Sequence, residues 1–221
     1  MSKNREYFDE DVLKHAREAF AETVALKVEQ LYRYVPRGSN SALTGAFIEE
    51  LVRGFIQKWI GHRQLLCGTL HSTEFEQSKA TPLQIDGIVY DPQKGPAILE
   101  EGGFVVVHPA FCTNVIEIKT SVPSLMKFEE RLRKIYERYM HHATSCHVMG
   151  VVIADADPIK KSLVSQGGRE FPAYRYFMGG WCPIFILFKK AGGKYEPQYE
   201  AIDAMIHSIY RNRGSSAVYL S

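Results

Sequence analysis

The sequence predicts an α/β fold, on three observations. Two runs rich in β-branched residues, Leu83–Asp91 and Thr113–Thr120, read as strands. Two continuous apolar runs, Cys146–Ala154 and Pro183–Lys190, have the length and composition of buried strands in a helix-covered sheet. Between and around these runs, apolar residues recur at spacings of three and four, the period of a helix buried on one side. At 221 residues the chain is long enough for one domain with a sizeable core, and one domain over 1–221 is expected.

The N-terminus, Met1 to Glu6, is polar and carries no apolar signal region. From about Tyr7 to Tyr34 the residues Phe8, Val12, Leu13, Ala16, Phe20, Val24, Val28, Leu31 and Tyr32 mark a long N-terminal helix. It ends near Val35-Pro36, because the residue before a proline is pushed out of the α region. A helix of this length either packs on its own domain or reaches another subunit. Arg37–Ser41 is a loop with N-cap residues. A second helix covers about Ala42–Ile60 and sets Glu49 on one stripe with Gly45. Gly61-His62-Arg63-Gln64 is a turn into a strand at Leu65–His71, and Ser72–Ala80 is a polar loop.

Asp91-Pro92-Gln93-Lys94-Gly95-Pro96 is turn chemistry. Ala97–Val107 reads as a hairpin, or as a short strand and loop. Pro123–Met140 is a third helix, buried along Leu125, Phe128, Leu132, Ile135 and Tyr136. Its charged face is either solvated or offers Arg131, Lys134 and Arg138 to nucleic-acid phosphates. His141, His142, Cys146 and His147 are metal-ligating types, but their spacing matches no structural zinc motif. Asp155–Gly180 reads as a long irregular loop, Ala191–Lys194 as a turn, Tyr199–Arg211 as a helix and Ser215–Leu220 as a closing strand.

The chemistry gathers in the two β-branched runs. Residues i and i+2 of a strand share a face, so Glu117 and Lys119 point one way while Ile116 and Ile118 point into a core. Asp86 joins them if the two strands pair. Glu117-Ile118-Lys119 is the only acid-x-lysine triplet in the chain. An acid in such a run is disfavoured unless something requires it. On an exposed strand the triplet is only a cross-face ion pair of little energetic weight. Two neighbouring carboxylates, however, repel unless a cation sits between them, and Mg²⁺ accepts oxygen ligands while keeping water and phosphate positions. Such an ion activates water toward a phosphodiester, and a nearby lysine orients that water or neutralises developing charge.

Asp86, followed some thirty residues later by Glu117-Ile118-Lys119, resembles the PD-(D/E)XK motif of the restriction-endonuclease-like fold. The run Gly45–Leu51, then Phe55–Ile60, Cys67-Gly68-Thr69, Gln84–Asp91 and Val115–Ser121, is similar to the branch of NucC-type DNA endonucleases of bacterial anti-phage signalling. The resemblance is good from Gly45 to Tyr139 and weak at the ends. It implies a restriction-endonuclease-like core, a mixed central sheet flanked by helices. It implies a Mg²⁺-dependent nuclease acting on double-stranded DNA. Asp86, Glu117 and the Ile118 carbonyl would ligate the metal, Lys119 would position or activate water, and Glu49 would support the site or a second metal. It further implies a homo-oligomer, a trimer, gated by a cyclic trinucleotide, with Arg63 and Ser215 in its binding site. A tyrosine of the trinucleotide-binding relatives is replaced by Lys94.

Four scattered cysteines without a C-x-x-C pair suggest a cytoplasmic protein with reduced thiols. No apolar run approaches the ~20 residues of a membrane span. The net charge of +2 does not mark a nucleic-acid binder, so attraction to DNA must come from a local basic face. Glycine-rich phosphate loops, a G-x-S-x-G elbow and His-Glu-x-x-His are absent. Two other readings remain open from sequence. One is a restriction or repair nuclease without a second messenger. The other is a non-catalytic module that binds a nucleotide or a partner protein.

Overall fold

The fold is seen in a computed structural model, described over residues 10–35, 41–73, 82–120, 125–139, 146–155, 174–177, 182–191 and 194–211. In chain order the elements are α1 (Glu10–Tyr34), α2 (Ser41–Gln57), β1 (Gln64–Leu70), β2 (Ile85–Tyr90), β3 (Leu99–Glu101) and β4 (Phe104–Val107). A 3₁₀ turn over Pro109–Phe111 leads to β5 (Cys112–Lys119) and α3 (Leu125–Tyr139). They are followed by β6 (His147–Asp155), β7 (Tyr174–Phe177), β8 (Cys182–Ala191), β9 (Lys194–Pro197) and α4 (Tyr199–Arg211). Apolar β-branched runs became strands and three-four periodic runs became helices, so the α/β class follows from patterning.

The strands form one mixed sheet in the order β3-β4-β1-β2-β5-β6-β8-β7, with β9 also paired to β8. β5, β6 and β8 run parallel at its centre, and β2 meets β5 antiparallel with Gly87 opposite Ile116. Parallel strands need cover on both faces. One face is covered by α1, α2 and α4, whose Phe20, Val24, Ile48, Ile56, Met205 and Ile206 pack on Val89, Ile116, Ile118 and Val151. The other is covered by α3, whose Phe128, Leu132, Ile135 and Tyr139 pack on Ile88, Val115, Val148 and Ile184. The Ile116–Ile118 face thus enters a core, as expected. The Glu117 side does not look outward into solvent, because α3 lies over it.

The long N-terminal helix packs on its own domain. Phe20 of α1 stacks on Phe55 of α2 with ring centroids 3.7 Å apart, and Arg17 pairs with Asp203 of α4 beneath the Tyr199 ring. The predicted second helix ends three residues early. Lys58 and Trp59 donate to the carbonyls of Phe55 and Ile56, a tightened last turn, and Gly61 then adopts φ 66° to turn the chain into β1. Two short strands differ from expectation: β7 lies inside the expected loop, and β9 starts at the last residue of the expected turn and runs over residues to which the sequence assigns no element. Both are hydrogen-bonded to β8 and gain their conformation from that neighbour rather than from local pattern. The helix start at Tyr7, the histidines 141 and 142 and the closing strand 215–220 lie outside the described residues. Among the described residues no helix is long and apolar enough to cross a membrane.

Candidate active site

Register brings the acids together. With Gly87 opposite Ile116, the next step of the antiparallel ladder sets Asp86 beside Glu117. Both acids are buried, at 8% and 3% exposure. The Lys119 side chain folds back between them. Its Nζ lies 3.0 Å from Asp86 Oδ2, 2.9 Å from Glu117 Oε1 and 3.0 Å from the Ile118 carbonyl. Asp86 Oδ2 also accepts from the Ile118 N–H at 2.8 Å, which locks the β2 acid onto the β5 backbone. The three side chains singled out in the sequence therefore converge on one point, together with the Ile118 carbonyl.

Glu49 reaches the same place from α2. Its side chain is one quarter exposed and stands 3.8 Å from Arg53 Nη1. Gly45, one turn earlier, leaves room for it: a Cβ there would lie 3.7 Å from Glu49 Oε1. Arg53 donates to the Asp86 main-chain carbonyl at 2.7 Å and to Glu50 at 2.9 Å, tying α2 to the start of β2. From the other face, Arg131 of α3 donates through Nε to Glu117 Oε1 at 3.2 Å and through Nη2 to the Gln84 carbonyl. Sequence reasoning missed Arg53, and it read Arg131 either as a solvated charge or as a phosphate contact, without its place on Glu117. The one available hint was Arg53 four positions after Glu49.

Among the described residues the site therefore holds three carboxylates, from Glu49, Asp86 and Glu117, against three cations, from Arg53, Lys119 and Arg131. Burial, then the nearby Asp86, push the Glu117 carboxyl above its usual range, and Lys119 and Arg131 only partly offset them. Burial and Asp86 likewise raise Glu49 against the lowering effect of Lys119 and Arg53. Burial alone would favour neutral Lys119, but Glu117 and Asp86 together outweigh it and hold the amine above the usual lysine range.

A divalent cation fits this donor set. Glu117 Oε2 is buried and makes no hydrogen bond, an oxygen that costs free energy unless something coordinates it. Asp86 and the Ile118 carbonyl face the same point. Among the described residues no three His, Cys, Asp or Glu side chains cluster tightly enough to ligate an ion by themselves. Two carboxylates and a main-chain carbonyl leave the other positions to water and substrate, the habit of Mg²⁺.

Arg63, expected to bind a nucleotide, is not part of this cluster. Arg63 is 2% exposed and donates to the carbonyl of Ile60, to Thr113 Oγ1 and to the carbonyl of Ile209 on α4. Lys94 is exposed in its turn, and Ser215 lies outside the described residues. Of the zinc candidates, Cys146 is buried with its sulfur 3.1 Å from that of Cys112.

No family model matches the sequence, and no curated protein matches it. Solved structures do match in fold. The cAAA-bound NucC of E. coli MS115-1 superposes with a TM-score of 0.57 at 11% identity, covering 95% of this chain and 93% of that one. The cAAA-bound NucC of P. aeruginosa ATCC27853 gives 0.56 at 10% identity, over 94% and 92% of the two chains. The apo form of the E. coli protein gives 0.50 at 13%.

Proposed function

The chain has the fold of the NucC structures, a restriction-endonuclease-like α/β core, and we propose that it is a Mg²⁺-dependent endonuclease of double-stranded DNA. The observation that carries this reading is the meeting of Asp86, Glu117 and the Ile118 carbonyl around one ammonium, with Glu117 Oε2 buried and unbonded beside them. Asp86, Glu117 and the Ile118 carbonyl would hold the ion, which when bound supplies Lewis acidity toward a phosphate oxygen and a more acidic water. Asp86 is kept in place by the Ile118 N–H and by Arg53 on its own carbonyl. Lys119, held as an ammonium, donates hydrogen bonds. Its charge would offset charge on the phosphate, and it would orient the attacking water by exchanging one of its three present partners for it. Glu49 lines the site as a third carboxylate, for support or for a second ion.

The test is nicking of supercoiled plasmid with Mg²⁺ and its loss in Lys119→Ala. Wild-type protein that leaves DNA intact with every divalent metal and candidate activator sinks the reading.

The proposal extends to regulation. A homotrimer switched on by a cyclic trinucleotide, in an anti-phage role, is supported by the fold shared with the cAAA-bound NucC structures. Arg63 bonds the carbonyl of Ile209 on α4. A second reading keeps the nuclease without the messenger. Arg63 is buried and already engaged, and Lys94 stands where the trinucleotide-binding relatives have tyrosine. Cleavage without added cyclic nucleotide favours that one.

A further inference from the structure

The charged face of α3 divides into two kinds of residue. Lys134 pairs with Glu130 at 2.8 Å and Arg133 with Glu137 at 2.8 Å, one turn apart along the helix and well exposed, as a solvated face does. Arg131 leaves that face. It crosses from α3 to the sheet and ends between Glu117 of β5 and the Gln84 carbonyl before β2. A guanidinium carries a fan of N–H donors, and Arg131 commits Nε and one Nη2 donor here. Among the described residues its Nη1 finds no acceptor, and the side chain remains 31% exposed.

The other two cations of the site are more fully committed. Lys119 has a carboxylate on either side and a carbonyl for its third donor. Arg53 is only 14% exposed and is held by Glu50 and the Asp86 carbonyl. Lys119 is 39% exposed but has its donors engaged, so among the described cations of the site Arg131 is the one that offers a phosphodiester both an open donor and access to solvent. The planar fork of arginine matches two phosphate oxygens, which an ammonium cannot do.

We propose that Arg131 is the residue through which this site grips the DNA phosphate, its Nη1 edge facing the strand while Nε stays on Glu117. The inference rests on the nuclease reading and adds to it a substrate contact on α3. It also singles out Arg131 from Lys134 and Arg138, which share its helix but not its position at the site.

The experiment is duplex binding by fluorescence anisotropy, in chelator, across a salt series and with two unrelated sequences. Arg131→Met is expected to weaken binding several-fold and equally for both sequences. It should also lower the slope of log affinity against log salt by about one ion. Arg131→Lys should recover the slope, and Lys134→Met should leave affinity and slope near wild type. The comparison is repeated in a Glu117→Gln background, where Arg131→Met should produce the same loss. That arm removes the alternative that Arg131 acts only by neutralising Glu117. Arg131→Gln, which keeps a donor for Glu117, replaces the methionine variant if the latter does not fold. Unchanged affinity and slope in Arg131→Met, equal losses in Lys134→Met, or disappearance of the effect in the Glu117→Gln background overturns the proposal while the nuclease reading survives. Wild-type protein that neither binds nor cuts a duplex overturns both.

Discussion

In the proposed nuclease, Lys119 is the residue on which the chemistry would turn. Replacing it with alanine removes the one group bonded to Asp86, Glu117 and the Ile118 carbonyl together. On the nuclease reading, DNA cleavage should fall by about 10²–10³-fold, the usual loss when one preorganised charge-stabilising donor is removed, in a plasmid-nicking time course. Glu117 shows the opposite balance, between function and stability. Burial and Asp86 raise its pKa, so the folded state holds the proton more tightly than the unfolded chain does. Its favourable contribution is complete below the unfolded value of 4.5 and is lost as pH rises through the folded value. Glu117→Gln should therefore melt above wild type at neutral pH in metal-free buffer, with the gap closing as pH falls toward 4.5. A melting difference that widens on acidification would contradict the assigned cause.

Among the elements, β1 and β4 show how closely the sheet is drawn together beside the site strands. Gly68 pairs with Val105, and a Cβ built there would lie 1.8 Å from the Val105 carbonyl oxygen, a rigid backbone atom. Gly68→Ala should cost about 2–3 kcal/mol in chemical denaturation, as overpacking of a closed site does. Substitution to alanine in α2 at Gly54, where nothing lies within 4 Å, should instead be tolerated or mildly stabilising. The helices explain why the site is rigid on both sides. α2 bonds the Asp86 backbone through Arg53 and α3 bonds Glu117 through Arg131, so each acid is braced by a separate layer.

For the molecule as a whole, the proposed second messenger makes a thermodynamic prediction. A cyclic trinucleotide that binds only the folded protein, at a hundred times its Kd, stabilises by ~2.7 kcal/mol. For a chain of this size that is a rise of roughly 5–11 °C in Tm, accompanied by a trimer mass in light scattering. Linear trinucleotides should produce no such rise. A cyclic ligand series that leaves both Tm and mass unchanged would remove the regulatory half of the proposal and leave the nuclease half standing.

The sequence alone determined the α/β class, the main strands and helices, and the three side chains at the centre of the site. Those features are local: an alternation of period two or 3.6, and an acid-x-lysine triplet whose members share a strand face by geometry. Tertiary structure decided the rest. β7 and β9 are strands because β8 hydrogen-bonds them, which no short-range pattern encodes. Arg63 is a buried tie among Ile60, Thr113 and Ile209 because α4 packs against that turn. Arg53 and Arg131 belong to the site, and the Glu117 side lies under a helix, because two layers close on the sheet from opposite faces. A charge on a helix reads the same in sequence whether it ends in water or on a carboxylate, since its partner is chosen by packing between residues far apart in the chain.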